Sequence, residues 1–131
     1  MKISLKIVTP YGEYYKGEAD YISACATTGM LGILPGHTPL IAPLKISRLV
    51  VKIKGQDHDF AIGGGVLVVE KEMTRLLLNS IESKEDIDLQ RALDAKKRAE
   101  ARLLEKEKYD SARAQAALTR AINRIEIKNE N

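Results

Sequence analysis

The sequence predicts an α+β protein: an N-terminal antiparallel β-sandwich over residues 1 to 83, followed by a C-terminal antiparallel two-helix hairpin over residues 84 to 131. Three observations carry that division. All nine glycines and all four prolines lie at or before Gly65, so no helix breaker follows it. Apolar residues alternate singly at the start, with Ile3, Leu5 and Ile7 set against Lys2, Ser4 and Lys6, and recur at three-four spacing after Asp88. Charge density rises at the same place: residues 84 to 131 hold 22 charged side chains of 48, and residues 1 to 83 hold 17 of 83.

At 131 residues the chain has room for one ordinary domain, or a small domain with an appendage. The net charge of +3 is too small to imply a nucleic-acid partner, and both signs are mixed in both parts. Cys25 is the single cysteine, which excludes an internal disulfide and fits a reducing compartment. No run of about 18 apolar residues could span a membrane. The alternating start from Met1 to Lys6 reads as a strand and not as a signal peptide.

After the first strand, Thr9-Pro10-Tyr11-Gly12 is a turn signal, and Tyr14-Tyr15-Lys16-Gly17 is a short strand with a second stop. Ala19 to Thr27 reads as a strand with Tyr21, Ser23 and Cys25 on one face, Cys25 being a small buried hydrophobe. Residues 46 to 54 alternate loosely, Gly55-Gln56-Asp57-His58 turns the chain, and Phe60-Ala61-Ile62 returns it. Val66 to Val69, a turn at Lys71-Glu72, and Arg75 to Leu78 form another hairpin. Several short strands punctuated by glycine suggest a sandwich or barrel.

The switch to helix falls at Ile87-Asp88-Leu89-Gln90-Arg91-Ala92. Ser83-Lys84-Glu85-Asp86 before it has the spacing of a capping box, and Asp88 and Arg91 share a helix face and can pair. Leu89, Ala92, Leu93, Lys96, Ala99 and Leu103 follow the helical period. The polar stretch Lys106-Glu107-Lys108-Tyr109 could loosen the helix, and Asp110 or Ser111 can cap a second one. Ala114, Ala117, Leu118, Ala121, Ile122 and Ile125 repeat the spacing. The facing residues are largely alanine. Each buried methylene contributes roughly 0.8 kcal/mol, so such a seam closes a hairpin that can also open.

After the third strand signal lies Gly29-Met30-Leu31-Gly32-Ile33-Leu34-Pro35-Gly36-His37-Thr38-Pro39-Leu40. This run resembles a signature of the ε subunits of F-type ATP synthases, in which it forms a loop joining two strands of a β-sandwich. Many members carry an acidic residue where this chain has Met30, a departure that bears on any polar rotor contact there. Gly63-Gly64-Gly65-Val66 is similar to the family's Ser-Gly-Gly-Phe element, with Gly63 and Val66 departing from it. The boundary hexapeptide resembles the Ile/Leu-Asp-x-x-Arg-Ala motif with which some bacterial ε subunits bind ATP. The likeness extends over the whole chain.

The resemblance implies a non-catalytic central-stalk subunit of a proton-translocating ATP synthase. Its partners would be the γ subunit, the membrane c-ring and, with the hairpin extended, the catalytic α and β subunits. It would sit peripherally on the cytoplasmic face of a bacterial plasma membrane. By the same resemblance Glu82, Ile87, Asp88, Arg91, Ala92, Arg98, Arg120 and Arg124 would hold ATP as a regulatory ligand. The arginines would face its phosphates, and the backbone near Ile87 and Ala92 would meet the adenine. Met30 and His37 would be rotor contacts.

The residues themselves set limits on the chemistry. Gly63-Gly64-Gly65 lacks the lysine and hydroxyl residue of a phosphate loop and reads as a bend or close strand packing. His37 and His58 are the only imidazoles and stand without a cysteine cluster, so no transition-metal site is expected. No catalytic residue and no catalytic cofactor are expected. Arg91, Arg98 and Arg102 lie close to one face of the first helix, and Arg120 and Arg124 are one turn apart on the second. Guanidiniums converging from two helices suit an oligophosphate, whereas composition alone describes a solvated face laced with Glu and Asp. Two other functions compete. One is a free-standing nucleotide sensor using the same hairpin. The other is a helical chaperone or nucleic-acid module, against which the few aromatics and the balanced charge argue.

Overall fold

The computed structural model describes residues 1–105 and 109–130. The chain divides into two compact units, residues 1–83 and 84–131. The first contains strands β1 (Ile3–Thr9), β2 (Gly12–Ala19), β3 (Tyr21–Ala26), β4 (Gly29–Ile33), β5 (Leu40–Ile53), β6 (Gln56–Val69), β7 (Thr74–Leu78) and β8 (Ile81–Ser83). Hydrogen bonds link them in the order β2-β1-β7-β6-β5-β3-β4, with β8 also on β6. The path closes into a sandwich around Leu5, Ile7, Ile22, Ile33, Leu49, Val51, Leu67 and Leu76, all essentially inaccessible to water.

Alternation identifies the buried faces. β1 buries Ile3, Leu5 and Ile7, as expected. β3 buries Ile22, Ala24 and Ala26, and leaves Tyr21, Ser23 and Cys25 on the other face, half-buried. Cys25 is therefore not the buried hydrophobe that its residue type suggested. Alternation does not report strand direction. All pairs are antiparallel except β1 with β7, which run parallel over Leu5–Val8 and Thr74–Leu77. Parallel neighbours need a long crossover, and the chain from β2 to β6 supplies it.

Strand β6 holds the sandwich together. It pairs with β5 along its length, with β8 through Phe60–Ile62, and with β7 through Gly65–Val69. The change of partner falls on Gly63-Gly64-Gly65. Gly64 and Gly65 have φ of 83° and 151°, and a Cβ on Gly65 would lie 2.2 Å from the Leu77 carbonyl oxygen. Residues 79 and 80 tie the bend with three hydrogen bonds. Gly63 N–H donates to Ser80 O (3.0 Å), Asn79 N–H to Gly64 O (2.9 Å), and the Asn79 amide to Gly63 O (3.2 Å). The triple glycine is a bend with close strand packing, as expected.

Three expected breaks lie elsewhere. Gly17 does not stop β2, because the Tyr15 ring covers it and the Tyr15 hydroxyl donates to Glu18 O at 3.0 Å. Gly29–Ile33 is a strand, so only residues 34–39 of the glycine-rich run form a loop. The β5–β6 turn is Lys54-Gly55, since Ile53 already pairs with Gln56. Strand β8 was not legible as a strand, being three half-buried residues long.

Lys54 and Gly55 have φ of 51° and 78°, as a two-residue mirror-image turn requires. A lysine is costly in that conformation. Lys54→Asn is expected to stabilise the sandwich by about 0.5–1 kcal/mol, read as a higher denaturant midpoint at unchanged slope. The Asp20 carboxylate secures the same turn: it accepts the Gly55 N–H (2.9 Å) and the Lys2 ammonium. The Lys2 bond first, and the Gly55 N–H second, hold its pKa below the ordinary value. A depressed carboxylate pKa contributes stability above the unfolded-chain value, and that stability is lost as pH falls through the folded one. Asp20→Asn should therefore lower the melting temperature at pH 7, and the gap should close as pH drops below about 3.9. A gap constant from pH 7 to pH 2 would show that shape, and not charge, matters there.

The second unit consists of a 3-10 turn (Lys84–Asp86), α1 (Leu89–Leu104) and α2 (Ser111–Asn129). Ser83, the first residue of the expected capping box, ends β8 and leads into the 3-10 turn, so that spacing marks the start of the turn and not of α1. Asp88 caps α1 instead, its Oδ1 accepting the Arg91 N–H at 3.1 Å. Asp88 thus meets the main chain of Arg91 and not its guanidinium. Asp110 caps α2, accepting from the N–H groups of Ala112 (2.9 Å) and Arg113 (3.3 Å). The loosening expected at Lys106, Glu107 and Lys108 falls outside the described residues. The helices pack side by side. Their buried residues are Ala92 and Ala99 on α1, and Ala114, Ala121 and Ile127 on α2. Each alanine pair is seven residues apart, two helical turns, so small side chains meet along one seam. The end of α2 packs on the 3-10 turn. There Lys128 Nζ donates to the carbonyls of Lys84 (3.0 Å) and Glu85 (3.3 Å), and Lys84 Nζ donates to Glu130 O. The hairpin is antiparallel.

Candidate functional site

The hexapeptide opens the hairpin. Ile87 and Ala92 are buried, and both their N–H groups are engaged, with Lys84 O (3.4 Å) and Asp88 O (3.0 Å). Arg91 and Arg98 are exposed on α1, and Arg120 and Arg124 are half-buried on α2. Arg124 has a polar or charged partner of its own. Glu82 belongs to the first unit, where it is half-buried on β8 opposite Ala61.

The antiparallel arrangement puts Arg91 and Arg124 toward the end of the hairpin held by Lys84 and Lys128, and Arg102 and Arg113 toward the other. A cavity of about 480 Å³ opens near that other end. Arg102, Tyr109, Asp110, Arg113, Ala114, Ala117 and Arg120 line it. The Arg102 guanidinium stands 5.5 Å from the Tyr109 ring centroid, a cation–π distance. Among the described residues Arg91, Arg98, Arg102, Arg113 and Arg120 form no ion pair. Arg113 also lies in the first turn of α2, where the helix dipole disfavours a cation. Of the arginines that the resemblance assigns to ATP, Arg120 alone lines this cavity; Arg102, which spacing placed in the same basic set, lines it too. Arg113 was not anticipated; its seven-residue spacing from Arg120 was the available signal.

In the first unit, a shallow cleft of about 170 Å³ lies between residues 1–4, residues 34–37 and the β6–β7 turn. His37 lines it, with its N–H on Leu34 O (3.1 Å) and its Nδ1 2.7 Å from Thr38 O. Met30 projects from β4 and is 66% exposed. No group of three His, Cys, Asp or Glu able to hold a metal occurs among the described residues. No helix among them is long and apolar enough to cross a membrane.

Two family models match the chain. Residues 2–84 match the β-sandwich domain of the ATP synthase delta/epsilon chain, and residues 85–129 match its long α-helix domain. The chain is 44% identical over 126 residues to the ATP synthase epsilon chain of Bacillus velezensis, covering 95% of this chain and 96% of that one. It is 42% identical over 127 residues to the epsilon chain of Nitratidesulfovibrio vulgaris, covering 96% and 95%. Among solved structures it is similar to a chain of the Euglena gracilis mitochondrial ATP synthase. That match has a TM-score of 0.76 and 20% identity, covering 95% of this chain and 78% of that one, and at this identity it speaks to the fold.

Proposed function

Because the chain belongs to the ATP synthase delta/epsilon family, through both its sandwich and its helical domain, we propose that it is the epsilon subunit of a bacterial F-type ATP synthase. It is a non-catalytic part of the central stalk. Its sandwich docks on the γ subunit and the c-ring, with Met30 and His37 at the rotor contact. Its hairpin binds ATP when compact and restrains ATP hydrolysis when extended along the stalk toward the α and β subunits. The complex holds it peripherally on the cytoplasmic face of the membrane. The observation that most supports the stalk assignment is the 44% identity to an epsilon chain, sustained across both units. For the ATP reading, the support is Arg102, Arg113 and Arg120 around an interhelical cavity, without ion-pair partners among the described residues; Arg91 and Arg124 come from the resemblance and lie toward the other end of the hairpin.

ATP is read as a signal here and not as a substrate: the sequence has no phosphate loop, and Asp110, the carboxylate lining the cavity, serves as the cap of α2. Calorimetry on the isolated chain tests this. ATP should bind without turnover. Arg91→Ala, Arg120→Ala and Arg124→Ala should each weaken it by one charge-assisted contact, about 1.5–3 kcal/mol. Equal affinity in all four proteins would remove these arginines from the site. Co-purification with a large membrane-bound complex separates the stalk subunit from a free-standing nucleotide sensor.

A further inference from the structure

The hairpin has one end closed by the chain between α1 and α2, and another where only noncovalent contacts hold α2. At that second end two lysines reach across in opposite directions. Lys128 Nζ, in the last turn of α2, donates to the main-chain carbonyls of Lys84 and Glu85 in the 3-10 turn. Lys84 Nζ donates back to the carbonyl of Glu130, just beyond α2. The Glu85 and Glu130 carbonyls lie at the ends of helical elements, where an intrahelical donor is lacking, and the Lys84 carbonyl accepts the Ile87 N–H as well.

We propose that this reciprocal lysine clasp is the latch of the hairpin, and that opening begins when it breaks. The reasoning is mechanical. The linked end cannot separate first. Among the described residues of this unit the fully buried side chains are four alanines along the helices, with Ile87 and Ile127 at the free end, so the seam itself resists little once that end lifts. The clasp and Ile127 occupy that free end. The proposal rests on the function above only in that an open state is put to use; the clasp itself is argued from the closed geometry.

Amide hydrogen exchange on the full chain tests it, with Lys128→Met, Lys84→Met and Lys128→Arg. A latch controls cooperative opening, so amides on both helices, from Ala92 to Ala99 and from Ala114 to Ile127, should exchange faster together. The expected acceleration is about tenfold for Lys128→Met, which loses two charge-assisted bonds, and smaller for Lys84→Met, which loses one. Lys128→Arg should restore most of the protection. Strand β6 amides should not change in any variant. Acceleration confined to the last turn of α2 would overturn the proposal, since the lysines would then be local caps; so would no acceleration. ATP titration of the same variants separates the two readings. If ATP closes the hairpin, Lys128→Met weakens ATP by the factor seen in exchange. A wild-type chain that binds no ATP overturns the nucleotide reading, and the exchange pattern still decides the latch.

Discussion

Gly65→Ala is expected to destabilise the sandwich by more than about 4 kcal/mol, at the extreme of single substitutions. Two causes act together. The φ of 151° at Gly65 is one that a residue with a Cβ seldom adopts. The new methyl would also meet the Leu77 carbonyl oxygen at 2.2 Å and the Leu78 Cα at 2.8 Å, both of them main chain, so no rotamer change relieves the contact. Strands β6 and β7 would have to part where they begin to pair. Gly12→Ala is the control. It too has positive φ, 118°, but nothing lies within 4 Å of its would-be Cβ. It should cost only the backbone term, about 1 kcal/mol. Denaturant titration of both variants measures the difference. Comparable losses would show that steric contact at Gly65 is not what the triple glycine serves.

Ending the chain after Ser83 should produce the largest functional effect. The remaining residues contain every strand and the whole sandwich core, so the fragment is expected to melt cooperatively. In a reconstituted ATP synthase the truncated form should hydrolyse ATP faster than the full-length form, with the widest gap at low ATP. The dependence follows from linkage. A ligand that binds only the compact hairpin stabilises it by about 2.7 kcal/mol at a hundredfold excess over Kd. That compares with burying a few methyl groups, which is what the alanine seam offers. Equal rates across the ATP range would mean that the hairpin is no inhibitor in this protein.

The fold was legible because its signals are periodic or punctuating. Single alternation placed β1 and β3, three-four spacing after Asp88 placed α1 and α2, and the glycine run marked the bend. Features decided by tertiary contact were not legible. Gly17 resembled a stop until the Tyr15 ring covered it. The capping spacing at Ser83 belongs to the 3-10 turn and not to α1, and pairing with Phe60 makes Ser83 the last residue of β8. The parallel β1–β7 pair leaves no trace in either strand's pattern. At the hairpin, the sequence offered Arg120 and Arg124 through their one-turn spacing. Arg113 and Tyr109 draw their interest from lining the same cavity as Arg102, which only the folding-back of α2 establishes.

The parallel pair has a consequence during synthesis. β1 and β2 can join as soon as both have left the ribosome, but the other side of β1 must wait for β7, more than sixty residues later. At roughly 5–20 residues per second, the nascent chain carries an unpaired β1 edge for several seconds. Lys2 and Lys6 are suited to guard it, since charged side chains on an open edge discourage a neighbouring polypeptide from adding its own strand. A ribosome stalled before Thr74 should therefore display a chain that cannot complete its sheet.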